Sequence, residues 1–311
     1  MGLIDVYKRY KNSYENYYSV ILKRAMKKKV IPVKLRDGTV RNWLSYVVWY
    51  YSTLDNPVEE GLLTMLDSYS SSKLSRSPIE FTYNQRMIRL FPDSSGADFG
   101  GFLEIFVGNA YKELLPCEGE IVIDVGANIG DSSIYFALNN ADKVIALEPF
   151  PGTYNAALKN IKENSLGDRI TLLNAGYGED SEVFLDGTEL QDTLSLLKSS
   201  SKGMKINTYS LETLLNTYNI DNAILKMDCE GCEYQILNES VQTLKRFKKI
   251  QIEFHYGYKA LEQKLKDAGF LVRVFGIHTP FLRVDPELKK AALKIMTIAK
   301  DTYWLSQNTN N

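Results

Sequence analysis

The chain is poor in soft metal ligands, lacks long apolar runs and carries almost no net charge. It holds three cysteines and two histidines in 311 residues. Three cysteines argue against a disulfide framework. The pair in Cys229-Glu230-Gly231-Cys232 has no second pair at zinc spacing, so a redox pair or half a zinc site is set aside in favour of small residues packing a tight strand-to-helix turn. No apolar run approaches the roughly 18 residues that suggest a bilayer span. The N-terminus lacks the basic start, apolar centre and small-residue cleavage site of a signal peptide, and a soluble cytoplasmic protein is expected. With 37 basic and 38 acidic residues, net charge −1, the whole molecule does not have the electrostatics of a nucleic-acid binder, and no DNA partner is expected. The 44% of hydrophobic residues is ample for a full core, either one large domain with an appendage or two domains.

What charge there is lies unevenly. Residues 1 to 36 carry ten Lys or Arg against two acids, with Lys23, Arg24, Lys27, Lys28 and Lys29 clustered. Ile4, Tyr7, Tyr10, Tyr14, Tyr17 and Tyr18 recur at helical spacing and predict a helix within residues 1 to 29. Val30 to Val40 reads as a hairpin turning at Asp37-Gly38, and Trp43 to Leu66 returns to helical periodicity. The Ser-rich run Ser68 to Ser77 reads as a linker. Residues 1–77 are therefore expected to form a mostly helical lid, dimerisation or substrate module, and residues 78–311 the main domain. A homodimer is one use of the basic, Tyr-rich segment; contact with an anionic membrane surface or RNA is a weaker alternative.

Beyond the Ser-rich run, two short strands pair across Asn84-Gln85, and Phe99 to Leu115 reads as an apolar helix. Candidate parallel strands follow at 121–125, 143–148, 170–174, 223–228, 248–254 and 270–275, with helices at 132–139, 151–164, 233–246 and 258–267. Such alternation implies an α/β fold with a parallel sheet covered on both faces. Residues 182–204 break the rhythm as a loop or small hairpin. A late helix at 286–299 and a strand at 302–306 complete a seven-stranded, Rossmann-like sheet.

The densest signal is Asp124-Val125-Gly126-Ala127-Asn128-Ile129-Gly130-Asp131-Ser132, where an apolar strand breaks into a glycine turn that opens a helix. A second strand ends in Glu148, the place of a ribose-binding carboxylate on a neighbouring parallel strand. Asn128 replaces the glycine that lets a backbone approach a pyrophosphate. S-adenosylmethionine thus fits better than NAD, and an NAD-dependent oxidoreductase becomes the lesser alternative.

Four segments in order, Asp124 to Asp131, Leu147-Glu148-Pro149, Leu225 to Glu233 and Glu253-Phe254-His255, resemble the motif series of the FkbM family of S-adenosylmethionine-dependent methyltransferases. The resemblance spans roughly residues 100 to 275 and implies a class I methyltransferase fold and O-methylation of a hydroxyl on a sugar-like or other small metabolite. Tyr209-Ser210-Leu211-Glu212 departs from the family's usual Thr-Leu-Asp, and the first 80 residues lie outside the resemblance.

Read physically, Gly126 and Gly130 permit the tight turn, with Ala127 and Asn128 between them. Asp124 is expected to engage the cofactor's amino group, and the helix start at Asp131 and Ser132 to offer N–H groups to its carboxylate. Glu148 would accept the ribose hydroxyls, Pro149 and Phe150 would flank the adenine, and Asn174-Ala175 would read its edge. Lys226, Asp228 and Glu230 alternate along one strand and its exit, and Glu253 and His255 repeat the spacing next door. His255 is the first choice of general base and Asp228 or Glu230 the second; Lys226 pairs with Asp228 or Glu253 if its role is structural. A divalent ion at Asp228, Glu253 and His255 is a further alternative. An interaction protein that binds the cofactor but acts through its basic N-terminal module remains the other class of function.

Overall fold

A computed structural model describes residues 3–54, 60–91, 100–185, 204–255 and 257–274. The chain divides into two compact units, Met1–Asn109 and Ala110–Asn311. Each is described by itself.

The first unit opens with helices α1 (Leu3–Ser13) and α2 (Tyr17–Ala25), so the single long helix expected from the Tyr spacing is broken near Tyr14. Tyr14 is buried, and its hydroxyl donates to Val48 O at 2.6 Å, which holds the break against the unit's interior. Strands β1 (Val30–Lys34) and β2 (Val40–Leu44) form the expected hairpin, with Lys34 opposite Val40 and Gly38 at φ 88° in its turn. Helix α3 (Ser45–Tyr51) follows directly.

The Ser-rich run is not a linker. Helix α4 (Glu60–Ser75) runs through most of it, burying Leu63, Met65, Leu66 and Tyr69 together with Ser70 and Ser72. The apolar residues ahead of the serines drive burial of that face, and small serines are tolerated on it; packing outweighs local composition. Strands β3 (Ile79–Tyr83) and β4 (Arg86–Leu90) pair across Asn84 and Gln85, both at positive φ as a primed hairpin turn requires. A short helix α5 (Gly100–Phe102) continues as a π-helical turn, Leu103–Val107, where the sequence suggested one longer helix. The boundary drawn at residue 77 from the sequence lies inside this unit.

The second unit alternates strand and helix: β5 (Ile121–Val125), α6 (Asp131–Leu138), β6 (Lys143–Leu147), α7 (Pro151–Glu163), β7 (Ile170–Leu173), β8 (Ala175–Tyr177), β9 (Ser181–Leu185), β10 (Met204–Tyr209), α8 (Leu211–Thr217), β11 (Ala223–Met227), α9 (Val241–Leu244), β12 (Phe247–Ile252) and α10 (Lys259–Asp267). Among the described residues, five strands form a parallel sheet in the order β12-β11-β5-β6-β7. All five residues of β11 are buried, as in a strand covered on both faces. The chain runs outward from β5 to β7, then returns to lay β11 on the other side of β5. The β5/β11 boundary is thus a topological switch point, where ligands bind beyond the carboxyl ends of the strands in open α/β sheets.

At the two ends of the segment that broke the rhythm, β9 and β10 pair antiparallel in a second sheet, β8-β10-β9, and residues 186–203 between them lie outside the described residues. Residues 270–274 form no strand, although Val272 packs against the core. The late helix and seventh strand, at 286–299 and 302–306, lie outside the described residues.

Candidate active site

The turn between β5 and α6 is shaped by contacts that exclude a side chain. Gly126 stands at φ 79°, and a Cβ there would meet Asp228 O at 1.9 Å. Gly130, at φ 85°, lies against α7, where a Cβ would come within 3.3 Å of Ala157 Cα. The Gly126 and Ala127 amides both donate to Leu147 O at 3.1 and 2.9 Å, tying the turn to the end of β6. Asn128 adopts φ 49°, which its short polar side chain tolerates better than most.

Asp124 lies beneath this turn with no exposed surface. Its Oδ2 accepts from Ser132 Oγ at 2.7 Å and Ser133 Oγ at 2.6 Å, and its Oδ1 faces Lys226 Nζ at 2.9 Å. Lys226 is equally buried and also donates to Gly126 O at 2.7 Å. Its ammonium lies 5.6 Å from the centre of the Tyr111 ring. Burial pulls the Lys226 pKa down, but Asp124, Asp228 and Asp131 outweigh it and hold the value above the ordinary lysine range. The partner of Lys226 is therefore Asp124, not Asp228 or Glu253. A charge this deep needs a charged partner, and Asp124 lies beside it in register on the adjacent strand. Both groups brace the glycine turn from inside, and Asp131, also buried, is the first residue of α6 and accepts from Ser132 N at 3.0 Å.

Glu148 sits at the end of β6, nearly buried. It accepts from Asn128 N at 2.9 Å, Phe150 N at 2.9 Å and Thr153 Oγ1 at 2.7 Å. Burial raises its pKa to about 7 against the lowering effect of those donors. Pro151 starts α7 and Phe150 is half-buried beside it. Asn174 donates through Nδ2 to the carbonyls of Glu148 and Pro149, both at 3.0 Å, and Ala175 is buried next to it. The two loops flanking β6 and β7 are thereby locked together.

Across the switch point lies the second group of side chains. His255 Nε2 is 3.0 Å from Glu230 Oε2, and its Nδ1 is 3.1 Å from Glu233 Oε1. Glu233 is fully buried and also accepts the His255 backbone N–H at 3.1 Å and the Gly231 N–H at 2.7 Å. Glu230 is exposed. Burial lowers the His255 pKa, yet the hydrogen bonds its ring donates to Glu230 and Glu233 carry it well above 6.5. Carboxylates at both ring nitrogens favour the protonated ring, which reduces its capacity to take a proton from a hydroxyl. The hydrogen bond from His255 holds Glu230 below the usual carboxylate range. Asp228 behaves oppositely: burial first, with Glu230 and Glu233 nearby, pushes its pKa up despite Lys226 and His255. Tyr111 Oη lies 3.4 Å from Asp228 Oδ2, and burial raises its own pKa well above 10.

Asp228, Glu253 and His255 also bring one potential metal-ligand atom each within 4.8 Å of one another. An ion there would have to take a ring nitrogen from Glu230 or Glu233.

Two residues join the site that the sequence reading did not include. Glu233 holds His255, and the signal was available: it lies three residues beyond Glu230 across a glycine. Tyr111 carried no such signal, since it meets Asp228 only through tertiary structure. Cys229 and Cys232 form a disulfide, correcting their reading as separate packing residues. Adjacent Glu230 and Gly231, at φ 55° and 125°, fold the loop back and bring the two sulfurs together.

The sequence model of the methyltransferase FkbM domain matches residues 124–272. No curated protein matches the chain. Among solved structures it is similar to Aeropyrum pernix fibrillarin in complex with natively bound S-adenosyl-L-methionine, at 12% identity over 82% of this chain and 90% of that one, TM-score 0.39. It is also similar to ribosomal protein L11 methylase from Lactobacillus delbrueckii subsp. bulgaricus, at 17% identity over 62% and 81%, TM-score 0.36. A third is precorrin-6y C5,15-methyltransferase from Geobacter metallireducens, at 16% identity over 55% and 73%, TM-score 0.34. These likenesses are distant. The part of the chain that matches the methyltransferase FkbM domain, residues 124–272, holds the glycine turn, Glu148 and the Asp228, Glu253 and His255 cluster.

Proposed function

We propose that the protein transfers the methyl group of S-adenosylmethionine to a hydroxyl of a sugar-like or other small acceptor. The observation that carries this reading is the meeting, at the β5/β11 switch point, of a braced glycine turn flanked by Glu148 with the Asp228, Glu230, Glu253 and His255 cluster. The cofactor's methionine part would lie against Gly126 to Gly130, its ribose hydroxyls against Glu148, and its adenine near Phe150 and Asn174. Asp124 and Lys226 support the turn from below.

Methyl transfer to oxygen requires alignment of the hydroxyl with the sulfonium and removal of its proton. Asp228 suits the second task better than His255, because crowding and burial raise its proton affinity while the carboxylates at both ring nitrogens of His255 favour the protonated ring. His255 and Glu230 orient the acceptor. Incubating the protein with radiolabelled S-adenosylmethionine and a panel of polyols and sugars tests the reading; labelled product that survives base hydrolysis as a methyl ether supports it. Label that appears only on nitrogen or carbon acceptors refutes it.

The N-terminal unit has a separate task in this proposal, acceptor capture or self-association. Its α1 and α2 leave Ile4, Tyr18, Leu22 and Met26 exposed beside exposed Lys27, Lys28 and Lys29. Light scattering on the wild type and a Leu22→Glu variant distinguishes the two: self-association predicts a smaller particle for the variant, acceptor capture an unchanged one.

A further inference from the structure

We infer that Cys229–Cys232 is a reversible thiol–disulfide site, reduced by an external dithiol, whose state sets the conformation of the acceptor-side loop. The disulfide joins residues three apart in sequence. Cross-links stabilise a fold chiefly through the length of chain they close, so one this short contributes little to the stability of the whole unit and acts locally. What it closes is the segment that presents Asp228 and Glu230. Between the sulfurs stand only Glu230 and Gly231, both in positive-φ conformations. A glutamate rarely adopts that region, and here the ring imposes it. The same turn delivers the Gly231 N–H to Glu233 and sets Glu230 against His255 Nε2.

The two cysteines also differ from the third. Cys117 is wholly buried and free, whereas Cys229 and Cys232 keep a small exposed surface at the carboxyl end of β11, where ligands enter. In the forward step a dithiol's thiolate attacks one sulfur of the pair, the S–S bond breaks, and the departing thiolate takes a proton. The dithiol's second thiolate then displaces the mixed disulfide. Two electrons and two protons pass from the dithiol to the pair, leaving two cysteine thiols and the dithiol oxidised to its own disulfide. With the ring open, Glu230 relaxes to negative φ and leaves His255.

The chemistry stands apart from the methyltransfer reading; only its consequence for the acceptor rests on it. The test uses the full chain purified without reductant. Native samples are treated with dithiothreitol, alkylated and analysed by mass spectrometry, with hydrogen exchange on parallel samples. The expected result is protection of Cys229 and Cys232 before treatment, joint alkylation after it, and Cys117 unlabelled throughout. Exchange at the Gly231 amide should accelerate by about tenfold or more on reduction, while residues 126–130 stay unchanged. Glutathione disulfide should reverse the change, and a Cys229→Ser/Cys232→Ser variant should exchange like the reduced wild type. A pair already alkylated before treatment, a disulfide that yields only in denaturant, or identical exchange in both states overturns the inference. S-adenosylhomocysteine calorimetry on both states separates the two readings: equal binding supports a loop-restricted switch, and no binding in either state removes the cofactor assignment while the thiol results stand.

Discussion

The ammonium of Lys226 and the carboxylate of Asp124, 2.9 Å apart, form a buried pair under the glycine turn between β5 and α6. Breaking such a pair leaves one charge without compensation. Lys226→Met should therefore destabilise the second unit by about 3–5 kcal/mol, whereas a double Lys226→Met/Asp124→Leu variant should recover much of the loss. Urea titrations followed by circular dichroism measure both. A Lys226→Met protein as stable as wild type would contradict the bracing role.

The space at Gly126 gives a sharper prediction. Gly126→Ala places a methyl on the Asp228 carbonyl and should reduce S-adenosylhomocysteine affinity by at least about 100-fold, close to 3 kcal/mol. Gly167, with nothing near its Cβ position, is the control: Gly167→Ala should change stability by less than about 0.5 kcal/mol.

Glu148 links pH to both stability and binding. Its folded pKa of about 7 lies above the unfolded value of 4.5, so the folded protein holds the proton more tightly. Stability from this group is present at low pH and falls as pH rises from about 4.5 to about 7, by up to about 3 kcal/mol in total. Ribose hydroxyls donate to the ionised form. S-adenosylhomocysteine should consequently bind more tightly at pH 8 than at pH 6 and release a proton, seen as a buffer-dependent enthalpy in calorimetry. Glu148→Gln should remove the proton release and cost on the order of 1–3 kcal/mol in binding.

For His255 the sign is the same, because its folded pKa is also raised. Its contribution to stability is complete below the unfolded pKa and disappears as pH climbs through the folded value. Nuclear magnetic resonance should find the ring still protonated at pH 7. In turnover, Asp228→Asn should lower the rate by roughly 10²–10⁴ with cofactor affinity nearly intact, and His255→Gln by less. A larger loss for His255→Gln, with a rate limb near 6.5, would restore the imidazole as the base.

Metal dependence separates from this cleanly. Dialysis against a chelator should leave turnover unchanged, because His255 already uses both ring nitrogens on carboxylates. Loss of activity restored by a divalent ion would place the ion at Asp228, Glu253 and His255.

The sequence by itself determined what depends on local order. The apolar β-branched runs fixed the parallel strands β5, β6, β7, β11 and β12, and the glycines marked the tight turn between β5 and α6, because strand periodicity and positive-φ turns are written in neighbouring residues. The hairpins at Gly38 and Asn84-Gln85 were legible for the same reason. Tertiary structure decided which groups meet. Lys226 pairs with Asp124 because β11 returns beside β5, a crossover that the spacing does not encode. The His255 pKa rises because Glu230 and Glu233 close on the ring from another strand's exit, and the serines of α4 are helical because the residues beside them are buried. Charge state and partnership depend on distance and burial, and those exist only once the chain has folded.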